Sequence, residues 1–156
     1  MYDINVKEPS GLFTAGNYFS TNRALYGSLV ATQGMQLAMS DNDKHLFLDD
    51  YDSPAPPFSV RMQDYYGQLD LTETSNFIEI YVNDDTSDCA GYGGMVTGEV
   101  IERFKKGVGN FTALQARCAP GHALMLTAVV DIDVLLLRQA IQIDFRNCTR
   151  GGDLYN

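Results

Sequence analysis

The chain has 156 residues, 45% of them apolar and 20% charged, with a formal net charge of −9. That length suits one domain, or one domain with a small appendage, and apolar content at this level without a low-complexity tract excludes a disordered chain. The acidic balance excludes a nucleic-acid partner, because phosphate binding needs clustered Lys and Arg and the one basic doublet is Lys105–Lys106.

Taken in chain order, the residues up to Ser53 are the least regular. Leu25 and Leu29 sit at helical spacing, with Gly27 weakening a helix between them. Met35, Leu37 and Met39 alternate with Gln36, Ala38 and Ser40, which is the period of a strand. HLFL (His45–Leu48) then leads into an acidic connector whose Pro54, Pro56 and Pro57 mark the expected boundary. Residues 1–53 form an N-terminal β segment on this reading, and residues 54–156 a sandwich domain.

Beyond that boundary the punctuation becomes regular. Phe58, Val60 and Met62 alternate with Ser59, Arg61 and Gln63, and Ile78, Ile80 and Val82 with Phe77, Glu79 and Tyr81, giving two half-buried strands. Met95–Phe104 and Val108–Arg117 flank the turn Lys105-Lys106-Gly107 and read as a hairpin, with adjacent Val100 and Ile101 pointing to a bulge. After the Ala119-Pro120-Gly121 turn, HALMLTAVV is apolar on both faces, as in a central strand. A turn at Asp131–Asp133 precedes a strand with Ile141, Ile143 and Phe145 inward, although the leucine-rich stretch Val129–Ala140 fits a helix as well as a strand. Short strands with turn signals about every ten residues describe an all-β sandwich.

Few residues carry chemistry. Asp84, Asp85 and Asp88 offer the oxygen donors that a hard cation such as Ca²⁺ takes, or else form a solvated acidic loop. Asp41, Asp43, Asp49, Asp50 and Asp52 form a second acidic cluster, without the glycine and distal glutamate of an EF-hand. Of the three cysteines, Cys89 and Cys118 make the better disulfide if the hairpin brings Cys118 to the base of the Cys89 loop. Cys148 is then unpaired or intermolecular; the alternative joins Cys118 to Cys148. Asn110 (NFT) and Asn147 (NCT) are glycosylation acceptor motifs. Tyr65, Tyr66 and Tyr92 could stack on a glycan, against a default of packing at the core edge. The histidines, His45 and His122, accompany no nucleophile elbow, and Gly91–Gly94 lacks the Gly-Lys-Ser/Thr of a phosphate cradle, so an enzyme is not expected.

Three motifs together resemble the immunoglobulin-like modules of large multidomain cell-surface proteins of algae and protists. A proline-led strand ends in an Asp–aromatic–Gly-Gln turn, Pro57 through Gln68. A Gly-x-aromatic strand ends in Pro-Gly, carried by Gly109, Phe111, Leu114, Pro120 and Gly121. The last strand has the form apolar-x-apolar-x-Phe-Arg-x-Cys-x-x-Gly, carried by Ile141, Ile143, Phe145, Arg146, Cys148 and Gly151. In those modules the final cysteine often begins a cysteine-rich stalk. Upstream, Phe19-Ser20-Thr21-Asn22 is similar to the FxxN ending of polymorphic-outer-membrane-type repeats, which build the β-helices that often precede such sandwiches.

The resemblance implies an all-β, immunoglobulin-like antiparallel β-sandwich with a short N-terminal β segment that caps a β-helix. It implies a non-catalytic extracellular structural or adhesive module whose partners are neighbouring modules or copies of itself. A carbohydrate-binding sandwich with a glycan partner and a viral coat or decoration protein are the alternatives. No apolar run reaches the ~20 residues of a spanning helix, so no membrane insertion by this chain is expected. The opening residues MYDINVKEPSG lack the basic start and apolar stretch of a signal peptide. Secretion therefore requires a longer parent chain, and a cytoplasmic location follows if Met1 is the true start.

Overall fold

Alternation decides the architecture, because a strand with one apolar face must bury that face against another layer. In the computed structural model, which describes residues 34–49, 52–83, 87–89, 91, 93–133 and 135–147, these described residues form one four-residue α-helix and eleven strands. They are β1 (Gln36–Ala38), α1 (Asp41–Lys44), β2 (His45–Leu48), β3 (Asp52–Pro54), β4 (Phe58–Gln63) and β5 (Phe77–Val82). There follow β6 (Met95–Gly98), β7 (Ile101–Arg103), β8 (Val108–Phe111), β9 (Leu114–Arg117), β10 (Ala123–Ile132) and β11 (Leu135–Phe145).

One layer is a five-stranded sheet of order β2-β11-β10-β5-β7. The other layer is built from the ladders β1-β4-β8 and β3-β9-β6. These share one register: Phe58 lies opposite Phe111 and Asp52 opposite Arg117, so equal steps along the two chains keep their partners. Between the ladders the Ala55 N–H donates to the Leu114 carbonyl at 2.8 Å. Strands β3 and β4 are therefore halves of one bent strand, and β8 and β9 halves of its partner. The bend falls at Pro54, Pro56 and Pro57, which have no N–H to give a ladder. This layer has the order β1, β3/β4, β8/β9, β6, and the two layers together have the strand arrangement of an immunoglobulin-like sandwich.

The inward residues of both layers form a single core, with Phe58, Val60, Met62, Phe111, Leu114 and Ala116 from one and Ile78, Ile80, Leu124, Leu126, Ile141 and Ile143 from the other. Phe58 and Phe111 stack with ring centres 5.0 Å apart. The layers approach closely at Gly109, where a Cβ would collide with the Ile78 side chain. A larger residue there would push the sheets apart.

Several expectations change. The boundary at Pro54–Pro57 does not coincide with a break between sheets, since Ala55 is buried and β1 and β2, from the expected N-terminal segment, pair with β4 and β11. The sandwich is not purely antiparallel: β2 runs parallel to β11, Leu46 beside Ile143. The expected hairpin of Met95–Phe104 with Val108–Arg117 holds only where Met95–Gly98 pairs with β9. Past Gly98 the chain crosses to the other layer, and Phe77 and Glu79 become the partners of Arg103 and Ile101. The bulge expected at Val100 is this change of sheet. Val129–Ala140 is strand, not helix, with the reversal at Asp133 in a left-handed conformation (φ 51°). The Phe19–Asn22 motif and the Leu25–Leu29 helix lie outside the described residues.

Gly98 permits the crossing twice over: its φ is +81°, and a Cβ would run into the Ala113 carbonyl oxygen. Gly67 has a similar φ of +77° but open space around it. Gly98→Ala is expected to cost about 2–4 kcal/mol in urea unfolding and Gly67→Ala about 1 kcal/mol, the difference being the carbonyl clash. Equal costs would contradict this account of the crossing.

Candidate functional site

The stretch Asp64 through Asn76 is a loop organised by its own carboxylates. Asp64 is fully buried and accepts from the N–H groups of Tyr66 (2.9 Å) and Gln68 (2.8 Å) and from Gln68 Nε2 (3.0 Å). Asp70, also buried, accepts from the Thr72 N–H (3.0 Å), the Thr72 hydroxyl (2.6 Å) and the Gly34 N–H (3.2 Å). Glu73 accepts from the N–H groups of Ser75 and Asn76 and from Asn76 Nδ2. Each carboxylate satisfies donors that would otherwise face no partner on a turning chain. Partial burial works to raise the Glu73 carboxyl, but the hydrogen bonds from Asn76 and Ser75 together outweigh it and hold it below its ordinary value of 4.5. Glu99, at the sheet crossing, is held low by the N–H groups of Thr112 and Ala113.

The two tyrosines of that loop do not make a flat platform. Tyr65 and Tyr66 meet edge to face, centroids 5.2 Å apart and planes at 89°. Tyr92 lies outside the described residues, as do Asp84, Asp85 and Cys148. Asp88 is described, and among the described residues no three His, Cys, Asp or Glu side chains are grouped to hold a metal. In the second acidic cluster, Asp41 pairs with Lys44 (3.1 Å), Asp43 accepts weakly from the Ser59 N–H (3.4 Å), and Asp49 pairs with Arg146 (2.9 Å). Asn110 is exposed on β8, its Oδ1 accepting from the Ser59 hydroxyl at 2.7 Å. Asn147 is exposed beyond β11, its side chain lying against Gly121, where a Cβ would meet Asn147 Oδ1.

Cys89 and Cys118 are joined by a disulfide, with Cα atoms 5.6 Å apart and a sequence separation of 29. Both are buried, at 0% and 2% exposure, and a Cβ at Gly94 would strike Cys89. The bond ties the connection after β5 to the end of β9, where the partial hairpin delivers Cys118.

Two surface features escape the sequence. One is a groove of about 560 Å³ lined by Phe47, Asp88, His122, Gln142, Asp144 and Arg146. It assembles only because β2 runs alongside β11, which brings Phe47 level with Asp144. It presents one exposed ring among hydrogen-bonding groups, and Gln142 Nε2 already donates to Asp144 at 2.8 Å. His45 lies level with Gln142, while His122 uses its backbone to accept from the Phe145 N–H at 3.0 Å. The second is the outer face of the five-stranded sheet, with a depression of about 360 Å³ bordered by Phe77, Tyr81, Val129, Asp131 and Leu136. Its signal was present in the strand pattern: Phe77 and Tyr81 stand on the side that alternation turns to solvent.

Replacing both cysteines, C89A/C118A, is expected to lower unfolding stability by about 2–4 kcal/mol, read by urea titration against the oxidised chain. A loss indistinguishable from zero would mean that the fold does not lean on the bond. The Glu73 and Glu99 carboxyls ionise more easily in the folded chain, so they stabilise it above about pH 4.5. That contribution is lost as pH falls through their lowered folded values. E73Q/E99Q should therefore be less stable than wild type at neutral pH and converge with it in acid; parallel pH profiles would contradict this. Compared with known proteins, the sequence matches no family model and no curated protein, and the geometry carries the functional reading.

Proposed function

We propose that this chain is a non-catalytic extracellular module, an immunoglobulin-like spacer or interaction domain in a fibrous or cell-surface assembly. The observation that carries the reading is the buried Cys89–Cys118 disulfide, because such bonds persist in oxidising compartments and are rare in reducing ones. A sandwich suits the work: its strands share load through lateral hydrogen bonds. Its short outer strands, β1, β2, β6 and β7, leave edges for neighbouring modules. Exposed Asn110, within its acceptor motif, adds a site for the glycan an extracellular surface would carry. Among the described residues no helix is long and apolar enough to cross a membrane.

Peptide mapping of the protein isolated from its natural source, without reduction and with free thiols blocked at lysis, tests the proposal. Cys89 and Cys118 are expected to appear as one cross-linked peptide and Asn110 to carry a glycan. Both thiols free and Asn110 bare would overturn it.

A further inference from the structure

The outer face of the five-stranded sheet is more apolar than a solvent face needs to be. Phe77, Tyr81, Ile101 and Leu136 are 53%, 50%, 52% and 49% exposed. Register gathers them: Glu79 stands between Ile101 and Val129, Val129 is opposite Arg138, and Asp131 is opposite Leu136. Arg103, opposite Phe77, lies over its ring at 5.9 Å. Among these rings the charged residues are Glu79 and Asp131 against Arg103 and Arg138, a net charge of zero on a chain of net charge −9; Asp144 stands on the same face but at its far end, opposite Ala123.

We propose that this face docks a second copy of the same chain in a weak, two-fold pair. The proposal rests on the module reading above and names its partner. A basic partner would be met by an acidic surface, of which this chain has ample supply elsewhere; here acids and bases alternate among apolar rings. Two copies related by a two-fold can set the bases of one against the acids of the other while the rings exclude water, without the repulsion that the whole chains carry. Four strands about 4.8 Å apart and three outward rows about 6.8 Å apart give roughly 400 Å² from each copy, small for a stable dimer and suited to a transient one. Repeated along a filament or across a surface, such contacts gain strength by number.

The test is sedimentation velocity from about 10 μM to about 1 mM on the oxidised chain, where a Kd within that range is expected for a contact of this size. R103E/R138E turns the patch around these rings to −4 and E79R/D131R to +4; each alone is expected to stay monomeric, and an equal mixture to pair at least about tenfold more tightly than wild type. Ile101→Lys, on an exposed edge strand, should weaken pairing at least about tenfold, while Met95→Ser on the opposite sheet leaves it unchanged. Circular dichroism confirms that each variant is folded. A wild-type chain monomeric throughout, or association that survives both charge pairs unaltered, overturns the proposal. Either result leaves the disulfide and glycan mapping standing, whereas free thiols and a bare Asn110 in the native protein would remove the extracellular reading and leave the pairing intact.

Discussion

One uninterrupted register between residues 52–61 and 108–117 fixes the rest of the sandwich. A slip of one residue would turn to solvent either Phe58, Val60 and Met62 or Phe111 and Leu114, whichever strand moved, so the core admits a single alignment. The same alignment puts Gly109 where the layers meet and Cys118 at the end of its strand, within reach of Cys89. It also sets the line along which β6 docks before the chain leaves for the other sheet. The prolines that bend this long strand pair do not interrupt it, because the one N–H available between them, that of Ala55, still finds its carbonyl.

Around that frame, four acidic residues serve as organisers of the backbone. Asp64, Asp70 and Glu73 each close a turn of one loop, and Glu99 plays the same part where the chain changes sheets. The loop is then sealed from outside: the Gly107 N–H donates to the Glu73 carbonyl, and a Cβ at Gly107 would meet the Asp70 backbone. Lys106, just before it, accepts a left-handed conformation (φ 54°) to make that approach.

Strand identity was legible wherever burial on one side imposed a period of two, as in Phe58–Gln63, Phe77–Val82 and Ile141–Phe145. The disulfide pair was legible through the part of the expected hairpin that forms, Met95–Gly98 beside Leu114–Arg117, which carries Cys118 back toward the Cys89 loop. Which sheet a strand joins was not legible. Ile101 alternates in the same way whether its neighbour is Phe111, as in the expected hairpin, or Glu79, and the decision rests on the backbone at Gly98 and on residues distant in sequence. The parallel β2–β11 pair was hidden for the same reason, and with it the groove beside Phe47. The carboxylates of the loop were misleading in another way, since a buried Asp that accepts three hydrogen bonds and a solvated one are the same letter.

The bond between Cys89 and Cys118 has a consequence for a chain under tension. Four strands, β6 to β9, lie inside the covalent ring, including the crossing at Gly98 and half of the long strand pair. Stretching the ends of the molecule cannot extend that stretch, so 29 residues, about 100 Å of contour length, stay withheld even after every hydrogen bond has parted. Only a reductant releases it, which makes the ultimate reach of the chain a matter of redox state as well as of force.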